Sequence, residues 1–197
     1  MEIDWFGEWG LTDEQWPFRG CRFLEAGVKL CRMSSHPYRE ILSALVEAKV
    51  DFIVGGGVAC VLQGVERVTM DVDLAVLMSP ANLDQFVQVM ERLKLLPRVP
   101  IPPRDLLDPL VVRQIIEEKH ALVFTFLDFD RPTRQVDIFL RPELAYGKLL
   151  PDTELLRLDN FSLRVLTKAK LLEIKLGIQP PRTKDILDIA YLRQHVR

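Results

Sequence analysis

Apolar residues recur along this chain at helical spacing in some stretches and at alternate positions in others, and the switches between the two periods mark its elements. Ile41, Leu42, Leu45 and Val46 share one face of a helix that Ser34 or Ser35 can cap. Asp51 to Val54 reads as a short apolar strand running into Gly55-Gly56-Gly57, and Val58 to Gln63 as a short helix closed by Gly64. Thr69 to Leu77 alternates and predicts a strand. Leu83, Phe86, Val87, Met90 and Leu93 then define an amphipathic helix over residues 80–95. The stretch bearing Pro97, Pro100, Pro102, Pro103 and Pro109 is too rigid and donor-poor for a sheet interior. A helix over 109–119 follows, then strands from His120 to Phe129 and from Arg134 to Leu140, with Asp130-Arg131-Pro132-Thr133 as the turn between them. A loop-rich segment leads to a short strand at Phe161 to Val165, and helices over 166–177 and 183–195 end the chain. This order predicts an α+β architecture: a small mixed sheet with helices on one face and a helical C-terminal portion beside it.

Residues 1–33 stand apart, with no sustained period, all three tryptophans (Trp5, Trp9, Trp16) and two of the three cysteines. Two explanations remain open. Either Met33 is the biological start and what precedes it a mis-called extension, or the segment is an arm whose indoles pack on the body or on a partner. The expected division is therefore 1–33, a core over 34–165, and a C-terminal helical segment over 166–197.

Composition narrows the class. The chain has 197 residues, 48% of them hydrophobic, enough to bury a sizeable core. Its 26 basic and 28 acidic residues leave a net charge of −2, which argues against a disordered chain and against a histone-like coat on nucleic acid. No apolar run approaches the roughly 18–20 residues of a membrane span, and no basic-then-apolar leader opens the chain. Cys21, Cys31 and Cys60 form no C-x-x-C pair, which fits a reducing, cytoplasmic setting and argues against a cysteine zinc site.

The candidate chemistry begins at Asp71-Val72-Asp73. Residues two apart on a strand point to the same face, so both carboxylates can grip a divalent cation. The pair alone is weak, because Asp128 and Asp130 form a second such pair at a turn where acids are expected anyway. Context strengthens the first. Gly57 ends a glycine turn between strand and helix fourteen residues earlier, a place where backbone can approach a phosphate closely. Arg67 and Thr69 lie just before the carboxylates, and Arg67 is either a surface charge or a partner for polyphosphate. Asp137 interrupts the apolar strand Gln135 to Leu140, and an acid there needs a partner or a metal to offset desolvation. If its strand neighbours the one bearing Asp71 and Asp73, three oxygen donors converge as two-metal phosphoryl transfer requires. No G-x-S-x-G, Gly-Lys-Ser/Thr or G-x-G-x-x-G motif offers a rival chemistry.

Gly56-Gly57-Val58-Ala59, Gly64, Arg67, Thr69 and Asp71-Val72-Asp73-Leu74 together resemble the signature of polymerase-β-type nucleotidyltransferases. Their spacing is similar to the bacterial AbiEii-like toxin group and the minimal nucleotidyltransferases of toxin–antitoxin systems. Lys175-Leu176 and the run Arg182 to Ile189 resemble that group's C-terminal lysine and R-x-K-D-x-x-D helix, so the resemblance spans about residues 36–195. It implies a nucleotidyltransferase fold and transfer of an NMP from an NTP, such as ATP, to a hydroxyl on protein, tRNA or a small molecule. It also implies that Gly56 and Gly57 hold the nucleotide phosphates, with Arg67 and Thr69 beside them. Asp71, Asp73 and Asp137 would bind Mg²⁺ or Mn²⁺, Asp137 also deprotonating the acceptor. Lys175 would contact phosphate, and Asp185 would close the site from the C-terminal helices. Many relatives carry serine where this chain has Gly57.

Residues 164–197 hold eight basic and three acidic residues, a basic flank suited to a triphosphate or a nucleic-acid end. Helical spacing puts Lys168 and Lys175 on one face opposite Ala169, Leu172 and Leu176, and Asp185 and Asp188 near a helix start, where acids also complement the dipole. The alternative function is a weakly active or inactive nucleotidyltransferase fold acting as an antitoxin or regulator by binding a partner protein. A drug-modifying transferase is a third option, against which the basic tail argues mildly.

Overall fold

The computed structural model describes residues 22–23, 29–31, 37–119, 121–158 and 160–196. The expectations for Trp5, Trp9, Trp16, Cys21, the caps Ser34 and Ser35, and His120 lie outside them. The strands are β1 (Arg22–Phe23), β2 (Lys29–Cys31), β3 (Phe52–Val54), β4 (Asp71–Val76), β5 (Leu96–Pro97), β6 (Val123–Leu127), β7 (Gln135–Phe139), β8 (Thr153–Leu158) and β9 (Phe161–Leu166). The helices are α1 (Pro37–Glu47), α2 (Gly56–Leu62), α3 (Pro80–Arg92), α4 (Pro109–Lys119), α5 (Tyr146–Leu149), α6 (Lys168–Leu176) and α7 (Thr183–His195).

The strands form one mixed sheet in the order β1-β2-β8-β9-β3-β4-β7-β6-β5. β4 runs parallel to β7 and antiparallel to β3, while β3 runs parallel to β9. Such parallel neighbours need long crossovers, and the chain supplies them through its helices. The period-2 pattern then sorts side chains between faces. Val72, Leu74 and Val76 of β4, with Val136 and Ile138 of β7, enter the core. There they join Tyr38, Leu42 and Leu45 of α1, Val58 and Leu62 of α2, and Phe86 and Met90 of α3. Each large apolar side chain so buried contributes about 1.5–3 kcal/mol. The ring of Phe86 meets that of Phe126 edge-on at 5.6 Å. Asp71, Asp73 and Asp137 alternate with these residues and therefore face the other way.

Asn82 ties the helical layer to the sheet. Its Oδ1 accepts the Asp51 N–H at 2.7 Å, and its Nδ2 donates to the carbonyls of Asp51 at 3.1 Å and Leu77 at 2.8 Å. Arg134 does the same for the β6–β7 turn, binding Asp128 at 2.6 Å and Glu40 of α1 at 3.0 Å. Asp128 is thus a turn-building acid, its Oδ1 also accepting the N–H groups of Asp130 and Arg131.

One expectation is corrected. The segment before Phe161 is not all loop: β8 pairs along its whole length with β9. Its sequence hides the strand because Leu155 points to solvent between neighbours of mixed character, while Leu156 and Leu158 are buried. The proline-rich stretch stays out of the sheet interior as expected: it contains a 3-10 turn at Pro103–Leu107 and the two-residue β5, which tolerates Pro97 because it lies at the sheet's edge. On α6 Lys175 and Leu176 lie on opposite faces, as their spacing implies, with the lysine turned inward. Lys175 is 5% exposed and Leu176 43%, because buried carboxylates await the ammonium.

Candidate functional site

In the β4–β7 ladder Asp73 pairs with Asp137 and Asp71 with Gln135. Asp71, Asp73 and Asp137 consequently bring one carboxylate oxygen each to within 4.8 Å of one another. This is the convergence expected from the sequence, built by strand register alone. Two flanking residues steady it. The Thr69 hydroxyl donates to Asp71 Oδ1 at 2.9 Å, and Gln135 Nε2 donates to both oxygens of Asp137, at 3.1 and 3.0 Å.

The three carboxyls titrate differently. Burial, then the charge of Asp71, pushes Asp73 up to about 6, against the opposing Gly57 N–H. Burial also raises Asp137 above the usual carboxylate range, despite hydrogen bonds from Thr125 and Gln135. Burial acts upward on Asp71 as well, but the Thr69 hydroxyl, Asp71's own backbone and the nearby Lys184 and Arg67 charges together hold it low. Three hard oxygen donors, two of them held high by burial and mutual repulsion, make a donor set that fits Mg²⁺ or Mn²⁺.

The glycine turn stands against these acids. The Gly55 N–H donates to the Asp73 carbonyl at 2.9 Å and the Gly57 N–H to Asp73 Oδ2 at 3.2 Å. Gly56 adopts φ +54°, and a Cβ there would overlap the Asp73 carboxylate. A Cβ at Gly57 would run into Thr69 and Arg67. Glycine is therefore required for close packing against Asp73 and its neighbours.

Arg67, Lys175 and Asp185 lie in a buried ionic network beside the triad. Arg67 Nε and Nη2 bind Asp188 at 2.6 and 3.1 Å. Lys175 Nζ sits 2.7 Å from Asp185 and 2.8 Å from Asp188. Asp185 also accepts the Arg182 backbone N–H at 3.1 Å, a capping box for α7, and the Arg182 guanidinium through Nε at 2.6 Å. Burial opposes ionisation of Asp185, yet Arg182 and Lys175 hold it well below the usual carboxylate range. Cys60 lies against Asp188, and burial followed by that charge pushes its thiol up to about 12, which leaves it inert.

A cleft of about 330 Å³ opens on Asp71, lined by Arg67, Thr69, Asp71, Gln135 and Lys184 among others. Lys184 Nζ is 4.0 Å from Asp71 Oδ2. Sequence reasoning assigned no site role to Lys184 or Gln135, and read Asp188 only as part of the C-terminal helix signature and as an acid complementing the helix dipole. Strand parity could have found Gln135, two residues before Asp137. Nothing local reveals the partners of Asp188, which lie 121 and 13 positions away.

No family model matches the chain, and no curated protein matches its sequence. Among solved structures, the lincomycin-bound crystal structure of the lincosamide antibiotic adenylyltransferase LnuA superposes with a TM-score of 0.54. The match covers 81% of this chain and 96% of that chain at 12% sequence identity. The α+β fold is therefore a nucleotidyltransferase-like one, a mixed sheet with its C-terminal helices beside it. Among the described residues no helix is long and apolar enough to cross a membrane.

Proposed function

We propose that this chain is a metal-dependent nucleotidyltransferase, moving an NMP from an NTP to a hydroxyl acceptor with release of pyrophosphate. The observation that carries the reading is the meeting of Asp71, Asp73 and Asp137 within 4.8 Å, on a fold shared with an adenylyltransferase. Mg²⁺ or Mn²⁺ held by these three residues would neutralise phosphate charge and lower the pKa of the attacking hydroxyl. The chain's own residues do the rest. Thr69 and Gln135 orient Asp71 and Asp137. Asp137 accepts the acceptor's proton as its oxygen bonds to the α-phosphorus and the bond to the pyrophosphate oxygen breaks. Gly56 and Gly57 let the turn pack directly against Asp73 and so hold that carboxylate in the triad. Lys175, Asp185 and Arg67 keep α7 seated, so residues 166–197 complete a site whose core is 34–165.

The acceptor is a hydroxyl of a protein, of tRNA or of a small molecule, in a cytoplasmic setting. The AbiEii-like resemblance favours the first two and a toxin–antitoxin role. The lincosamide named for the structural neighbour favours the third.

The test is incubation with each labelled NTP and Mg²⁺ in the presence of total tRNA, total cell protein and hydroxyl-bearing antibiotics. Label should enter one fraction, and Asp71→Ala or Asp73→Ala should abolish it with an unchanged circular dichroism spectrum. Transfer surviving in either variant removes the metal-site assignment. Calorimetry with Mg²⁺ and each NTP separates this reading from a pure binding module, which gives no metal-dependent heat.

A further inference from the structure

Among the described residues, Arg98 acts on Asp137, and the cations that line the cleft or bind the buried carboxylates of α7 are Arg67, Lys175, Arg182 and Lys184. Three are already committed. Arg67 is clamped to Asp188 by two nitrogens, and Lys175 is enclosed between Asp185 and Asp188 with 6% of its side chain exposed. Arg182 reaches Asp185 through Nε at 2.6 Å and Nη2 at 3.1 Å. Moving any of them to a ligand would strip a counter-charge from a fully buried carboxylate, which is strongly unfavourable. Lys184 is different. Its side chain is 41% exposed, it lines the cleft, and its ion pair with Asp71 is stretched to 4.0 Å. A long, flexible stem lets such an ammonium re-aim at an anion without repacking. An Asp71 engaged by a divalent cation would also cease to hold it.

We propose that Lys184, and not Lys175, is the cation that binds the donor's phosphates, and that it recognises the polyphosphate rather than the base. The inference rests on the nucleotide-transfer reading above and deepens it. Lys175 is then a positioning residue. With Asp185, Asp188 and Arg67 it fixes the first turns of α7, and so fixes where Lys184 stands over Asp71.

Calorimetric titration tests this with two probes, Mn²⁺ alone and inorganic tripolyphosphate in the presence of Mn²⁺. Lys184→Met should bind Mn²⁺ as well as or better than the parent protein, but tripolyphosphate about tenfold more weakly or worse, the loss of one charge-assisted contact. Lys184→Arg should restore affinity to within about threefold. The same factor should appear with ATP, CTP, GTP and UTP, because the contact ignores the base. Equal tripolyphosphate affinity in Lys184→Met and parent protein overturns the assignment while the triad stands. Mn²⁺ binding without any tripolyphosphate binding by the parent protein overturns it too. Failure of the parent protein to bind Mn²⁺ overturns the nucleotide-transfer reading and this inference with it.

Discussion

Arg67 grips Asp188 with two nitrogens, at 2.6 and 3.1 Å, although 121 positions separate them. The contact joins the loop entering β4 to α7. Through Lys175, which shares Asp188, it also draws in α6. Three segments that bear on the cleft are thus joined at one carboxylate.

That carboxylate and its neighbour Asp185 are both fully buried, so their cation cannot be removed cheaply. Lys175→Met should destabilise the protein by about 3–5 kcal/mol, the cost of leaving buried charge unpaired. Urea unfolding measures this as a lower midpoint with an unchanged slope. A midpoint equal to that of the parent protein would contradict the network as described.

Gly56→Ala meets two obstacles at once, a left-handed φ of +54° and overlap with Asp73. The backbone strain should lower stability by about 1–3 kcal/mol. The larger effect should fall on Mn²⁺ affinity, because Asp73 must leave the triad to make room. Calorimetry of the folded variant reads this. Parental Mn²⁺ affinity in Gly56→Ala would show that the turn does not hold Asp73.

Stability should depend on pH in a direction set by Asp73. Its folded pKa of about 6 exceeds the unfolded value. The native state therefore keeps a proton that the unfolded chain has released between roughly pH 4 and 6. Metal-free protein should lose stability as pH rises through that window and level off above it. Asp73 retains some contact with water, so about 3 kcal/mol is an upper bound on the loss. Asp137, also raised, acts in the same direction. Asp185, held low by its cations, acts in the opposite direction at lower pH, its contribution vanishing as acid protonates it. Melting curves in EDTA from pH 4 to 8 should show Asp73→Asn more stable than the parent protein at pH 7, with a shallower upper slope. Identical slopes in the two proteins would refute this account.

The sequence carried the triad and the turn because both follow from local period. Alternation put Asp71 and Asp73 on one face, and an acid inside an apolar run marked Asp137. The roles of the C-terminal charges were not legible. Whether Lys175 meets solvent or Asp185 depends on how α6 and α7 pack, which helical spacing does not encode. The same spacing set Lys175 opposite Leu176 without saying which of the two turns inward, and burial turned the lysine in. β8 was hidden for a related reason. Its pairing with β9 supplies what the Thr-Glu-Leu-Leu-Arg-Leu pattern lacks.

Asp73 and Asp137 stand opposite each other while Val72 and Leu74 meet Val136 and Ile138 on the reverse side. A slip of one residue between these strands would turn the acids of one of them into the aliphatic layer and its aliphatics toward the cleft. Misalignment is thus rejected during folding, before any substrate arrives. Drift in the surrounding surface can retune what docks there while the spacing of the three oxygens stays guarded by the oily side of the sheet.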